Sequence, residues 1–127
     1  MGQATVELTK DNFESTVKKG GVVLVDFWAD WCGPCKAFAP VFEASAGKNP
    51  DVVYAKVNTD AEQELAQAFQ IRGIPTLMAF RDGVLLFSQA GALPASSLEE
   101  LVSQVKALDM EKIHQEIASQ KKTEKPL

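Results

Sequence analysis

The chain reads as an α/β domain: a mixed β-sheet with helices on both faces. Three observations predict it. The run Val22-Val23-Leu24-Val25-Asp26-Phe27-Trp28 is apolar, β-branched and aromatic, the composition of a strand buried on both faces. Strand-like and helix-like segments alternate on either side of it, and parallel strands need crossover helices. Asp82-Gly83 stands between two apolar runs as a hairpin signal, which makes the closing part of the sheet antiparallel.

The elements follow in order. Residues 5–8 form a short strand. Thr9 is placed to cap a helix running to about Lys19, with Phe13 and Val17 on one face and Gly20-Gly21 ending it. The buried strand at 22–28 comes next and feeds a helix that runs to about Gly47. Pro40 lacks the N–H to bond the Lys36 carbonyl and is expected to kink that helix. Residues 52–58 form a strand, and Asp60 is placed to cap a helix carrying Leu65, Ala66 and Phe69. Residues 75–81 and 84–89 are the two arms of the hairpin. A last helix follows Leu93, with Leu98, Leu101, Val102, Val105 and Leu108 at helical spacing. The pattern does not fix the order of the strands.

Cys32 and Cys35, the only cysteines, sit where strand 22–28 passes into its helix. Unpaired N–H groups and the positive end of the helix dipole lie there. With Cys32 as N-cap, its sulfur can accept the Cys35 backbone N–H, and Pro34 removes a donor that would otherwise be stranded. Both effects favour thiolate at Cys32. Residues three apart in mid-helix have Cβ atoms roughly 5–6 Å apart, whereas a disulfide wants about 3.5–4.5 Å. The pair can close comfortably only at such a turn. Cys32 is expected to be exposed at the tip and Cys35 shielded, so that one sulfur attacks and the other resolves.

A lone Cys-x-x-Cys is equally half of a zinc site. Structural zinc takes four ligands, and the one histidine, His114, lies far off in the tail. A redox pair is therefore favoured, and His114 reads as a solvent-facing helix residue. Asp26 is the only charge in its apolar run. Near a strand end it could reach solvent; buried, it would have a raised pKa and suit a proton acceptor.

Composition narrows the class. The 127 residues fit one domain, and 46% apolar with 24% charged residues matches an ordinary soluble globule. No apolar run reaches the roughly 18 residues of a membrane span. The start lacks the basic-then-apolar build of a signal peptide, and Met1-Gly2 is not followed by the hydroxyl residue of a myristoylation site. A net charge of −4 argues against nucleic acid as the main partner. Two cysteines spent in one motif suit a reducing compartment, so a cytoplasmic protein is expected.

Trp31-Cys32-Gly33-Pro34-Cys35-Lys36 resembles the active site of the thioredoxin family. Val25-Asp26-Phe27-Trp28-Ala29, Pro40, Lys56, Ile74-Pro75-Thr76 and Gly91-Ala92 follow the family's pattern in order, over about residues 5–107. The resemblance implies the thioredoxin fold, a central mixed five-stranded sheet flanked on both faces by four helices. It divides the chain into a domain at 1–108 and an extension at 109–127. It implies a dithiol–disulfide oxidoreductase that reduces protein disulfides through a reversible Cys32–Cys35 disulfide and serves redox homeostasis. Asp26 would lie under the cysteines and help to deprotonate Cys35, with Lys56 as its partner; Lys36, exposed in the first turn, would favour thiolate through its charge. Pro75 by default would be trans at an edge-strand start; the resemblance implies cis, beside the cysteines. Trp31, Gly33, Pro34, Gly73, Ile74, Pro75, Gly91 and Ala92 would form an uncharged substrate-binding rim, with Trp28 beneath it. The Ile74 backbone would be free to pair with an extended substrate.

No bound cofactor or metal is expected. The resemblance implies that NADPH and FAD act indirectly, through a partner thioredoxin reductase; the chain has no nucleotide-binding fingerprint, so its reductant must come from outside. The other expected partners are disulfide-containing proteins, with neither membrane nor nucleic acid, and a monomer is expected. Two alternatives stand beside this reading: a related oxidant or isomerase, and a binding module or subunit that acts without turnover. Pro94 departs from the family by replacing a capping polar residue before the last helix. In the extension, Met110, Ile113 and Ile117 share one narrow helical face and Asp109 could cap a new helix after a bend. Residues 121–126 read as solvated and mobile.

Overall fold

The computed structural model describes residues 4–123; the Met1-Gly2 start and the end of the polar tail lie outside the described residues. In chain order the elements are β1 (Thr5–Glu7), α1 (Phe13–Val17), β2 (Val22–Trp28), α2 (Gly33–Lys48), β3 (Val53–Asn58), α3 (Gln63–Ala68), β4 (Thr76–Arg81), β5 (Val84–Ala90), α4 (Ala95–Ala107) and α5 (Met110–Thr123). The five strands form one sheet in the order β1-β3-β2-β4-β5. β1 and β2 run parallel to β3, whereas β4 is antiparallel to both β2 and β5. The mixed sheet expected from the crossover helices and the hairpin is what forms.

β2 is the middle strand, and its alternation sorts the core. Val22 and Leu24 point to the face packed by Phe38 and Phe42 of α2 and by Leu98 and Val102 of α4. Val23, Val25 and Phe27 point to the other face, with Phe13 and Val17 of α1 and Phe69 after α3. Asp26 has the parity of Leu24, so it faces the layer that carries α2. The register sets it between Lys56 of β3 and Leu77 of β4. Each fully buried large side chain contributes about 1.5–3 kcal/mol, and Phe27, Phe38, Phe42 and Tyr54 are all at most 1% exposed.

Two helix starts differ from expectation. α1 begins at Phe13, not just after Thr9, because the Asn12 side chain accepts the Thr9 N–H at 2.7 Å and the Thr9 hydroxyl accepts from Asp11. These local bonds hold residues 9–12 in a turn. α3 begins at Gln63, because the Asn58 side chain accepts the N–H groups of Asp60 and Ala61. Asp60 caps nothing there. Pro94 stands as N-cap of α4 in an extended conformation (ψ 156°), without a side-chain cap, and its carbonyl accepts the Leu98 N–H. Asp82 and Gly83 both have positive φ, 51° and 82°, the requirement of the two-residue hairpin turn that joins β4 to β5.

The chain bends after α4: Leu108 is extended (ψ 143°), and the Asp109 side chain accepts the Lys112 N–H as α5 begins. Met110 is buried, and Ile113 and Ile117 are half-buried. α5 runs to Thr123, so the helix takes in residues 121–123. Arg81, at the end of β4, donates from one guanidinium nitrogen to the carbonyls of Val105, Lys106 and Leu108 at 2.7–2.9 Å. A cation there satisfies orphan carbonyls and complements the helix dipole. Arg81→Ala should cost about 1.5–3 kcal/mol, the range for hydrogen bonds to a charged group. Urea unfolding checks it, with faster amide exchange in α5 expected alongside; an unchanged midpoint would mean that water replaces the arginine fully.

Candidate active site

Cys32 adopts extended backbone geometry (φ −88°, ψ 110°) as the N-cap of α2, with Pro34 in the first turn. Its sulfur accepts the Cys35 backbone N–H at 3.2 Å, and its carbonyl accepts the Lys36 N–H. A disulfide joins Cys32 to Cys35 across 5.2 Å between Cα atoms, inside the usual range of about 4.4–6.8 Å. The geometry expected of the motif is therefore present, in its oxidised form. The expected difference in exposure is not: Cys32 is 3% and Cys35 4% exposed. The two sulfurs are bonded to each other, and the Ile74 carbonyl lies 3.6 Å from the Cys32 sulfur. Gly33 and Pro34 remain exposed at the tip.

The segment opposite the disulfide is held by backbone. The Ile74–Pro75 bond is cis, as the family resemblance implies. The Pro75 carbonyl accepts the Gly91 N–H at 2.7 Å, and the Thr76 hydroxyl donates to the Gly73 carbonyl. Gly91 has φ +104°, a conformation that a side chain would strain. Trp31 is 69% exposed, yet its indole N–H is fixed on the Asp60 carboxylate at 3.0 Å. Trp31, Gly73 and Ile74 border one shallow cleft of about 170 Å³, together with Thr59, Ile71 and Arg72. Pro75 is buried, and Gly91 joins the site through its hydrogen bond; Ala92 is exposed beside Gly91 and borders neither this cleft nor the one at Ser88–Ala90. Thr59 and Arg72 were not singled out by the sequence, and Asp60 was read only as a helix cap. The Asp60 link spans 29 residues and no local pattern signals it.

Asp26 is 1% exposed, and neither carboxylate oxygen has a hydrogen-bond partner among the described residues. Burial pushes its carboxyl up to about 7, and the Lys56 charge pulls in the opposite direction. Lys56 is the cross-strand neighbour of Asp26, and its ammonium lies 4.8 Å over the Trp28 ring. The half-buried Trp28 keeps its indole nitrogen out of solvent without a hydrogen-bond partner among the described residues. Lys36 and His114 are exposed. No group of three or more His, Cys, Asp or Glu among the described residues is arranged to hold a metal ion. The arrangement offers a sulfur at a helix start, a second sulfur beneath it and a buried carboxyl that can exchange a proton near neutral pH.

Comparison with known proteins agrees with this geometry. A family model described as thioredoxin matches residues 4–104. "Putative thioredoxin 2" of Streptomyces coelicolor is 53% identical over 117 residues, covering 92% of this chain and 87% of that protein. Counted from Met1, that span ends no earlier than Ile117, so the match takes in part of α5. "Thioredoxin C-3" of Corynebacterium nephridii is 40% identical over 100 residues, 78% of this chain and 69% of its own. Among solved structures, a mutant thioredoxin from Halobacterium salinarum superposes with a TM-score of 0.77 at 32% identity, covering 86% of this chain and 97% of that one. Plasmodium falciparum thioredoxin gives 0.73 at 31% identity, with coverages of 79% and 98%.

The buried carboxyl makes stability depend on pH. Folded, Asp26 holds its proton to about pH 7; unfolded, it ionises near 3.8. Between these values the folded state binds the extra proton, so Asp26 lowers stability as pH rises and its effect levels off above pH 7. The loss is at most roughly 4 kcal/mol, at about 1.4 kcal/mol per pKa unit. Asp26→Ala should therefore raise the urea midpoint at pH 8, with a gain that shrinks toward pH 4. An equal gain at both pH values would show that desolvation of the carboxylate is not the cause.

Proposed function

The chain belongs to the thioredoxin family, the dithiol–disulfide oxidoreductases that reduce protein disulfides, and from that premise we propose how its residues divide the reaction. The observation that carries the assignment is the Cys35 N–H on the Cys32 sulfur at the start of α2. In the reduced protein that bond and the helix dipole favour the Cys32 thiolate, which attacks one sulfur of a target disulfide. The target's S–S bond breaks, its other sulfur leaves as a thiolate that takes up a proton, and a mixed disulfide joins the target to Cys32. Cys35 then loses its proton and attacks the Cys32 sulfur, releasing the second target thiol. Two electrons pass to the target, and the Cys32–Cys35 disulfide remains.

Asp26 is the proton acceptor for Cys35, with Lys56 as its charged partner. Burial, a carboxyl near neutrality and a place on the sheet face covered by the cysteine helix support this role. Trp31, Gly33, Pro34, Gly73, Ile74, Pro75, Gly91 and Ala92 form the substrate-binding rim. They carry no ionised side chain, and the Ile74 backbone beside the Cys32 sulfur can pair with an extended substrate. Disulfide-containing proteins are the substrates. A thioredoxin reductase recharges the pair with electrons from NADPH through its FAD. We place the protein in the cytoplasm as a monomer; no helix among the described residues is long and apolar enough to cross a membrane. Residues 1–108 form the catalytic domain and 109–127 an extension that α5 packs on it.

Insulin reduction coupled to a thioredoxin reductase tests the reading. Cys32→Ser should abolish it, and Cys35→Ser should hold targets as mixed disulfides; a Cys32→Ser protein that keeps its cellular role would favour the module without turnover. Iodoacetamide on the reduced protein should label Cys32 first, and labelling of Cys35 first would reverse the two roles. Deletion of residues 109–127 uncovers the contacts of Met110 and should cost roughly 1.5–3 kcal/mol, while insulin reduction stays within about twofold. Loss of reduction in a still-folded protein would place the extension in the catalytic machinery.

A further inference from the structure

Residues 71–73 separate two clefts beside the cis-proline segment. One is the cleft of about 170 Å³ under Trp31. The other, of about 190 Å³, lies against the outer end of β5 at Ser88, Gln89 and Ala90. Arg72 borders both, and among the described residues no other charged side chain lines either one. It is exposed and makes no hydrogen bond or ion pair with a described residue. Asp60, a carboxylate beside Trp31, is already engaged by the indole N–H. The chain as a whole carries a net charge of −4, so this free guanidinium stands against the prevailing sign.

We propose that Arg72 is a specificity-determining residue that favours protein disulfides with a glutamate or aspartate within two residues of the attacked cysteine. The inference rests on the rim described above as the face that meets substrate. The Ile74 carbonyl lies 3.6 Å from the Cys32 sulfur. A substrate strand that pairs there, with its own sulfur at Cys32, must run along residues 72–74. Arg72 is two residues from Ile74, and the bends at Gly73 and Ile74 keep that span below the roughly 6.6 Å of fully extended chain. The guanidinium therefore meets side chains next to the substrate cysteine rather than the sulfur itself. Its planar fork of donors matches the two oxygens of a carboxylate. A lysine in the same place meets repulsion instead. The contact lies at the rim, so it acts on encounter and is screened by salt.

The test uses the whole chain and three disulfide-linked peptides that differ only in Glu, Gln or Lys placed two residues from the cysteine on either side. In low salt kcat/KM should follow Glu, Gln, Lys in falling order, with Glu over Lys by about threefold to tenfold, the scale of one exposed ion pair changing sign. In 0.5 M NaCl the ratio should fall toward one, because the Debye length shrinks from about 30 Å in 0.01 M salt to roughly 3–10 Å. Arg72→Glu should invert the order and Arg72→Gln should erase it, with urea midpoints confirming that both variants fold. A ratio near one in the parent, or the same ratio in Arg72→Glu, overturns the proposal. If the parent reduces none of the peptides while it still reduces insulin, the strand-paired approach along residues 72–74 is overturned, and the proposal with it. If insulin also stays oxidised, it is the assignment of the protein as a reductant that fails.

Discussion

Everything at the site depends on the turn that carries β2 into α2. A strand that ends and a helix that begins leave backbone N–H groups without partners, and here one of them is satisfied by a cysteine sulfur. The same turn brings the second cysteine within disulfide reach, which two cysteines with this spacing in mid-helix could not manage comfortably. Stability and chemistry share that hydrogen bond. The sulfur that caps the helix is the one whose negative charge the helix start favours.

The rest of the fold holds that turn still. β2 is the middle strand of the sheet, buried on both sides, with α2 and α4 on one face and α1 and α3 on the other. Such a position allows Asp26 to be buried without hydrogen bonds, because the surrounding core outweighs one desolvated carboxyl. The Lys56 charge offsets part of the cost and is itself steadied by the Trp28 ring. The rim is built differently. Its cis-proline segment and Gly91 are joined by backbone bonds, so the surface offered to a partner keeps its shape while presenting main-chain groups rather than long polar side chains.

Much of this was legible in the sequence, for physical reasons that differ from place to place. The strand at Val22–Trp28 announced itself because burial on both faces leaves an unbroken apolar run. The hairpin was legible because Asp82-Gly83 can supply two positive φ angles. The Cys32 cap was legible because capping is local. The starts of α1 and α3 were misread for the same reason turned round: Thr9 and Asp60 are good capping residue types, but Asn12 and Asn58 form competing local bonds. Strand order, the Trp31–Asp60 bond and the Arg81 clasp on α4 join residues far apart in sequence, and no periodicity encodes them. The burial of Cys32 was missed because the cover comes from Ile74, 42 residues away.

The central claim is that the cap position makes Cys32 the thiolate of the pair, a direction already familiar for this family. Titration of the reduced Cys35→Ser protein, followed by thiolate absorbance in the ultraviolet, tests it most directly, because Cys32 is then the only thiol. The account predicts a midpoint clearly below the roughly 8.5 of a free cysteine. A midpoint at or above that value would mean that burial beneath the Ile74 carbonyl outweighs the helix start, and would contradict the account.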